Sequence, residues 1–327
     1  MKFDNNFILL LHPKKSKNKI VHKKINFNYN NSANYILVQK QLSEFIQLHL
    51  KKVTYQISHQ YNYQCLNFTW FIRDKADVFM SHGVADKNYV WTKNKLTGTY
   101  FINNFKVVLV PGRWMKQRMI ESKVIKLNPD NIIPVGWPRI DALRILQKEY
   151  FKESPNDKIT LLWAPTHNFE NSTTQNSTSS YPEFVTYAKK LEKIYNVLYS
   201  LHPRNRTNKE PTMDKLLKAD VVISDFGTMV YEAWALGKPV IFPRWILKDR
   251  IIKYLNGSAE AYIFKNRIGY HPDSYEEMLE IINSGPVVDR KVHDFMDEYL
   301  DNYRGGNSAK KIADTLISLE KKNRVTS

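Results

Sequence analysis

The sequence alternates short runs of Val, Ile, Leu and Phe with longer stretches that have helical spacing. Short apolar runs suit strands that are buried on both faces, and their alternation with helices is typical of parallel sheets built from βαβ units. This pattern restricts the chain to the α/β class. Strands are predicted at Phe7–Leu11, Val53–Ser58, Val78–Ser81, Lys106–Val110, Ile132–Val135, Ile159–Trp163, Asn196–Leu201, Val221–Ser224 and Pro239–Phe242.

The number of predicted strands indicates more than one domain. Nine strands would crowd one doubly wound sheet, and 327 residues are enough for about two domains. The polar stretch at residues 151–158 separates a first Rossmann-like domain (1–150) from a second (151–307), with parallel sheets facing a central cleft. A C-terminal helix at about 308–323 could pack back on the first domain. Helices are predicted at Asn34–Leu50, Trp114–Ser122, Arg139–Phe151, Pro182–Tyr195, Thr228–Leu236, Ser274–Asn283 and Ser308–Lys322.

Composition excludes several classes of protein. The single cysteine, Cys65, is incompatible with a disulfide framework or a cysteine-based zinc cluster. The longest apolar runs have about five residues, whereas a membrane-spanning helix needs roughly 20. The short N-terminal apolar stretch lacks a small-residue cleavage site, so we expect a buried strand there and not a signal peptide. We expect a cytoplasmic protein that requires neither a metal ion nor another cofactor.

The charge balance favours anionic partners. The chain has 49 Lys and Arg against 32 Asp and Glu, a formal net charge of +17. Such an excess is compatible with a solvated basic surface or with attachment to an anionic membrane, here the inner face of the cell membrane. Nucleic acid is not expected as a partner, because no helix-turn-helix, zinc-finger or RNP motif is present. The lysines concentrate near the N-terminus at Lys14, Lys15, Lys17, Lys19, Lys23 and Lys24.

Candidate chemical groups follow the predicted strands, because open α/β sheets bind ligands at the carboxyl ends of their strands. His82 follows one strand and precedes Gly83, so it could be a general base, with an ordinary pKa of about 6.5, or a histidine bonded to a loop carbonyl. Pro165 fixes the turn after another strand, where Thr166 could meet a ligand. His202 and Arg204 flank a third turn and could grip a phosphate or form a basic surface turn.

The stretch from Ala219 to Phe242 is the most informative. It reads as strand, short polar turn, helix, tight turn and strand. Ser224, Gly227 and Thr228 place small polar groups at the helix N-terminus, which attracts anions. Glu232 lies one helical turn further along and could accept hydrogen bonds from ribose hydroxyls.

Taken in order, these residues resemble the CDP-glycerol glycerophosphotransferase family, the teichoic-acid-type polyol-phosphate transferases with a GT-B fold. The resemblance extends from about residue 76 to residue 242, in the family's order. Its marks are His82-Gly83 followed by Lys87, the Gly-x-Pro-Arg-x-Asp pattern at residues 136–141, Ala164-Pro165-Thr166, His202-Pro203 and the block at residues 220–239.

The resemblance implies a role for each matching residue. His82 would deprotonate the acceptor hydroxyl, with Gly83 and Lys87 on the acceptor side. His202, assisted by Arg204, would hold the donor diphosphate and stabilise the leaving nucleotide. The remaining donor-binding residues would be Ser224, Gly227 and Thr228 at the phosphates, Glu232 at the ribose, and Pro165 and Thr166 at the base. Asp225 would also belong to the donor-binding residues.

Two departures from the family pattern bear on the donor and its binding. Ser81 stands where the family usually has Trp, and residues 225–228 are Asp-Phe-Gly-Thr where the family usually has Asp-Tyr-Ser-Ser. The second departure is closer to some sugar-nucleotide enzymes and loosens the identity of the donor more than the fold. The chain has room for the two-lobed catalytic unit, which favours a single or priming transfer.

The resemblance implies an enzyme that moves a polyol phosphate, with glycerol phosphate as first choice, from a CDP-linked donor to a hydroxyl of a membrane-associated glycan or glycolipid, releasing CMP. The first alternative is a GT-B glycosyltransferase that uses a nucleotide sugar to build capsule or lipopolysaccharide. The second alternative is a non-catalytic basic protein that binds membranes or nucleic acid.

Overall fold

The computed structural model describes residues 24–30, 33–50, 53–150, 158–166, 178–202 and 212–326. These residues form two compact units, each with its own parallel sheet. Unit 1 consists of the described residues up to His82, Tyr89–Ala142 and those from Tyr299 onward. Unit 2 consists of Gly83–Asn88 and Leu143–Glu298. The α/β class and the parallel sheets predicted from sequence are confirmed.

Unit 1 contains a six-stranded sheet in the order β2-β1-β3-β4-β5-β6, in which every pairing is parallel. Four of these strands, β1, β3, β4 and β5, consist of buried residues, whereas β2 and β6 are more exposed. The strands are β1 (Ile25–Asn28), β2 (Tyr55–Ser58), β3 (Leu66–Thr69), β4 (Val78–Met80), β5 (Val107–Val110) and β6 (Ile132–Pro134), and the helices are α1 (Ala33–Gln47), α2 (Arg113–Glu121), α3 (Pro138–Tyr150, which continues into unit 2) and α12 (Ser308–Thr326).

Two buried strands of unit 1, β1 and β3, were not predicted, because asparagines interrupt their apolar residues. Asn26 and Asn67 are fully buried, and the Asn26 side chain donates a hydrogen bond to the Asn67 side chain (2.8 Å). The Asn67 amide in turn donates to Asp77 Oδ2 (3.1 Å), and Asp77 forms an ion pair with Lys106 (2.9 Å). Buried polar groups are tolerated when they are hydrogen-bonded in this way. The predicted strand Phe7–Leu11 lies outside the described residues.

Unit 2 contains a four-stranded parallel sheet in the order β10-β9-β7-β8. All four strands were predicted, whereas several short helices after α6 were not, because they are too short to show a helical period. The strands are β7 (Thr160–Ala164), β8 (Asn196–Tyr199), β9 (Val221–Ser224) and β10 (Val240–Ile241), and the helices are α4 (Val185–Leu191), α5 (Thr212–Lys218), α6 (Thr228–Ala235), α7 (Arg244–Leu247), α8 (Arg250–Tyr254), α9 (Ala259–Lys265), α10 (Tyr275–Asn283) and α11 (Arg290–Tyr299).

The C-terminal segment of unit 1, from Tyr299 onward, packs closely against two glycines of the same unit. A Cβ atom at Gly112 would lie 2.3 Å from the carbonyl oxygen of Tyr299, and one at Gly136 would lie 2.2 Å from Ser308 Oγ. Asp141 then accepts a hydrogen bond from the N–H of Ala309 (2.9 Å), in the first turn of α12. The Gly-x-Pro-Arg-x-Asp pattern therefore has a structural function, since its first and last residues hold α12 in place.

Replacing Gly136 by Ala should destabilise unit 1 strongly. The new Cβ would overlap Ser308 and the carbonyl of Asp301, and the φ angle of +84° would be strained in any other residue. We expect a loss of about 2–4 kcal/mol in the free energy of unfolding. Gly98→Ala is the matched control, because φ is +69° there but, apart from residues 97–99 themselves, no atom of the described residues lies within 4 Å of the new Cβ; it should cost only about 1 kcal/mol. Equal losses for the two variants in thermal unfolding would contradict the role of Gly136 in holding α12.

Candidate active site

The carboxyl edge of the unit 2 sheet gathers most of the predicted donor-binding residues. Pro165 and Thr166 follow β7, His202 lies three residues after β8, and residues 225–228 connect β9 to α6. The strands are parallel, so these ends lie along one edge of the sheet. His202 is half-buried, and Arg204 lies outside the described residues.

The turn between β9 and α6 presents backbone donors at a helix N-terminus. Gly227 is the N-cap of α6 and has φ = +111°, a conformation that glycine adopts without strain. The first N–H groups of a helix, here including those of Thr228 and Met229, have no partner within the helix. Among the described residues, no side chain caps α6. The Ser224 hydroxyl, by contrast, is buried and donates to the carbonyl of Ala164 (2.7 Å). The groups left to meet an anion are therefore the backbone N–H groups beside Gly227 and Thr228.

Asp225 ties the turn after β9 to the turn after β7. Its carboxylate is fully buried, and Oδ2 accepts hydrogen bonds from the N–H groups of Thr166 (2.9 Å) and Ser180 (3.0 Å). Among the described residues, Oδ1 has no hydrogen-bond partner. Burial raises the pKa of Asp225 to about 6, although the hydrogen bonds oppose this shift. Asp225 thus positions the sheet edge, and it occupies the N–H of Thr166.

Gly83 and Lys87, predicted on the acceptor side, belong to unit 2 and lie beside the β9–α6 turn. A Cβ at Gly83 would lie 3.1 Å from Thr228 Oγ1, and the Lys87 ammonium lies 3.4 Å from an ideal Cβ on Gly227. The ammonium also lies 5.0 Å from the centre of the Phe226 ring. Lys87 is accessible to solvent, yet desolvation by the surrounding protein lowers the pKa of its ammonium, and the negative charge of Glu260 opposes this.

Glu232, predicted to contact the ribose, lies on α6 and is 1% exposed. It follows Thr228 by one helical turn, as the sequence spacing predicted. Its role in donor binding stays a prediction.

His82 belongs to unit 1, and aromatic rings fix the plane of its imidazole. The ring stacks on Phe71, with centroids 4.5 Å apart and an interplanar angle of 5°. Tyr89 meets it edge-on at 5.3 Å. His82 is half-buried and lies two residues after β4. The base predicted from sequence thus has a defined orientation at the end of a strand.

Sequence reasoning missed two carboxylates of unit 2 that lie next to Lys87. Asp86 and Glu260 are buried and accept backbone hydrogen bonds around Lys87. Asp86 could have been noticed beside Lys87, but no local pattern singled out Glu260, which lies in a stretch where no helix was predicted. Within the described ranges, no group of three or more His, Cys, Asp or Glu side chains could hold a metal ion, and no helix there is long and apolar enough to cross a membrane.

Comparison with known sequences identifies the family. The profile described as CDP-glycerol:poly(glycerophosphate) glycerophosphotransferase matches residues 6–318 of this chain. The chain belongs to this family. The resemblance seen in the motifs is therefore confirmed.

Curated relatives of this glycerophosphotransferase-family chain include two ribitol-phosphate polymerases. The teichoic acid ribitol-phosphate polymerase TarK of Staphylococcus aureus is 25% identical over 227 residues, covering 60% of this chain and 42% of TarK. The teichoic acid poly(ribitol-phosphate) polymerase of Bacillus spizizenii is 23% identical over 311 residues, covering 85% of this chain and 49% of the relative. The chain thus spans less than half the length of these relatives.

Among solved structures, the wall teichoic acid polymerase TagF has the same fold. The superposition gives a TM-score of 0.64 at 16% sequence identity, and it covers 92% of this chain and 90% of the TagF chain. At this identity the likeness supports the fold alone, and it agrees with the GT-B-type architecture expected from the family.

The raised pKa of Asp225 predicts a pH dependence that Asp225→Asn should remove. An aspartate whose folded pKa lies above its unfolded value of 3.8 loses stabilising free energy as the pH rises from about 4 to about 6. The asparagine oxygen can still accept both N–H groups. Relative to wild type, Asp225→Asn should therefore become more stable with rising pH, by up to about 3 kcal/mol at pH 7. Chemical denaturation between pH 4 and pH 7 measures this difference; a variant that weakens with rising pH would contradict the assignment.

Proposed function

We propose that the chain transfers a polyol phosphate, with glycerol phosphate as first choice, from a CDP-linked donor to a hydroxyl of a membrane-associated glycan or glycolipid, releasing CMP. Family membership supports the reaction class. Two relatives are named ribitol-phosphate polymerases, and a TagF variant has been solved after a soak with CDPG. CDP-glycerol and CDP-ribitol are therefore both donors to test.

The observation that carries the proposal is the positive character of the β9–α6 turn. Uncapped N–H groups of α6 and the Lys87 ammonium converge at Gly227. Two positive groups close together favour an anion between them, and a diphosphate supplies several acceptor oxygens. His202 and Arg204 are further candidates to hold the diphosphate and stabilise the leaving CMP.

The reaction needs one bond to form and one to break. The acceptor oxygen forms a bond to the phosphorus that carries the polyol, and the bond from that phosphorus to the bridging oxygen breaks, so that CMP leaves with the electron pair. The acceptor proton passes to the imidazole of His82. Most of the rate enhancement then comes from positioning the reactants and from stabilising the phosphate charge.

CMP release tests the proposal directly. With CDP-glycerol or CDP-ribitol and membrane extract as acceptor, the wild type should release CMP. His82→Ala should lower turnover about 10²-fold or more, because a general base contributes roughly that factor. His59→Ala is the matched control, since His59 is exposed in unit 1 and its Nδ1 pairs with the carbonyl of Tyr29. Release from UDP- or CMP-sugars but not from CDP-polyols would overturn the donor assignment.

A basic hairpin of unit 1 supports the anionic membrane as a partner. Residues 92–100 form a hairpin closed by the Lys93–Tyr100 bridge, and Leu96 at its tip is 96% exposed. Its base contacts the end of α2, where Trp91 donates to Ser122 (3.1 Å). Residues 91–128 contain eight Lys or Arg and a single acidic residue, Glu121. An exposed leucine within such a basic surface suits anionic lipid better than a purely polar polyanion.

Vesicle binding tests this surface. The double variant Lys93→Glu/Lys95→Glu should bind phosphatidylglycerol-containing vesicles at least about tenfold more weakly, since each lysine near the membrane contributes about 1 kcal/mol. Lys189→Glu/Lys193→Glu, on exposed positions of unit 2, is the charge-matched control. Leu96→Ser should also weaken vesicle binding. If Leu96→Ser has no effect while the lysine variant does, the surface binds a polyanion and not the membrane.

A further inference from the structure

The segment that carries Lys87 adopts an unusual backbone conformation. Lys87 has φ = +46° and Asn88 has φ = +57°, so two successive residues other than glycine lie in the left-handed region. This conformation is unfavourable for residues other than glycine, and it persists only where surrounding contacts fix it. Contacts within unit 2 must therefore hold residues 83–88 in this conformation.

Two buried carboxylates hold this segment by reciprocal hydrogen bonds. Glu260 Oε1 accepts from the N–H of Asp86 (3.0 Å), and Oε2 accepts from the N–H of Lys87 (2.9 Å). In the opposite direction, Asp86 Oδ2 accepts from the N–H of Ala259 at the start of α9 (3.0 Å). Asp86 Oδ1 also accepts from the N–H of Asn88 (3.1 Å). The two left-handed residues are thus fixed through their own N–H groups.

Glu260 also connects this segment to the helix that bears the anion site. The Tyr231 hydroxyl, on α6, donates to Glu260 Oε1 (2.8 Å). Glu260 is 1% exposed and Asp86 is 2% exposed. A buried carboxylate is tolerated only when donors satisfy it, and hydrogen bonds to a charged acceptor are the stronger kind. One side chain therefore joins α9, residues 83–88 and α6.

We propose that Glu260 is a positioning residue for Lys87: by accepting the N–H groups of Asp86 and Lys87, it holds the Lys87 ammonium beside Gly227, where it binds the phosphate groups of a nucleoside diphosphate. This inference rests on the proposed function for the identity of the ligand, and on the geometry of unit 2 for the positioning. Lys87 then belongs to donor binding and not to the acceptor side.

Positioning is needed because the ammonium and the helix N-terminus have the same sign. Without a ligand they repel each other, and a flexible lysine would turn towards solvent. A backbone fixed by Glu260 keeps the ammonium close to the turn before the ligand arrives. Binding then requires less ordering of the side chain, which increases affinity.

CDP binding measured by calorimetry tests the inference. Lys87→Met should weaken CDP binding about tenfold or more, since a charged hydrogen bond contributes roughly 1.5–3 kcal/mol. Glu260→Gln should weaken it several-fold, because its amide nitrogen opposes an N–H group that the carboxylate accepted. If Glu260 acts through Lys87, the double variant should bind CDP no more than about twofold more weakly than Lys87→Met alone. If the losses of CDP affinity in the two single variants multiply in the double variant, the proposal is overturned.

Ser258→Ala controls for a merely structural effect. Ser258 caps α9 by accepting from the N–H of Ala261 (3.1 Å), one position before Ala259. Loss of this cap should lower the melting temperature slightly without moving residues 83–88. CDP affinity should be unchanged in Ser258→Ala and reduced in Glu260→Gln. If both variants lose CDP affinity in proportion to the decrease in their melting temperatures, Glu260 only stabilises the fold and does not position Lys87.

A second readout does not depend on the donor. Lysines labelled with [13C]methyl groups by reductive methylation give NMR signals that titrate, and Lys87→Arg identifies the signal of Lys87. Because the charge of Glu260 raises the pKa of Lys87, Glu260→Gln should lower that pKa further. An unchanged Lys87 signal and pKa would overturn the positioning role. Absence of CDP binding by the wild type would instead refute the proposed function, while the NMR titration would still test the contact.

Discussion

Carboxylates that accept backbone N–H groups join separate segments of the chain within each unit. In unit 1, Asp77 accepts from Asn67 (2.9 Å) and Asp141 from Ala309 (2.9 Å). In unit 2, Asp225 accepts from Thr166 and Ser180, and Glu260 accepts from Asp86 and Lys87. Parallel sheets leave their functional loops at strand ends without ladder partners. A carboxylate with two acceptor oxygens can join two such loops. The geometry of the β9–α6 turn and of residues 83–88 therefore depends on Asp225 and Glu260.

The pKa values of two buried carboxylates, Asp77 in unit 1 and Asp225 in unit 2, shift in opposite directions, although hydrogen bonds favour ionisation of both. Burial opposes ionisation of Asp77, yet hydrogen bonds from Asn67 and the ion pair with Lys106 hold its pKa below the usual value. Asp225 is buried with one oxygen that lacks a partner among the described residues, and its pKa rises to about 6. The number of donors and the presence of a cation therefore decide whether a buried carboxylate stays ionised. Of these two carboxylates, Asp225 is the one whose protonation state changes near pH 6.

The sequence was sufficient for the class of fold and for the order of the motifs, because apolar strands and polar strand ends are local patterns. It was insufficient for β1 and β3, where asparagines replace apolar residues and are satisfied only by partners on neighbouring strands. It also grouped Lys87 with His82, five residues earlier, although the two belong to different units. The contact of Asp86 with Glu260 spans 174 residues of sequence, so no local pattern could predict it.

Motifs that identify a family need not be the ones that perform its chemistry. Gly136 and Asp141 lie at the ends of the Gly-x-Pro-Arg-x-Asp pattern. Gly136 leaves room for Ser308 at the start of α12, and Asp141 accepts a hydrogen bond from the N–H of Ala309 in the first turn of that helix. A chain could keep this pattern, and hence the fold, after losing catalysis. Under the proposed function, the residues that would distinguish an active member are His82, whose imidazole is oriented by Phe71 and Tyr89, and Lys87, whose accessible ammonium lies beside the N-terminus of α6. Holding a cation against a like charge costs free energy in the absence of an anion, so its presence is better explained by ligand binding than by stability.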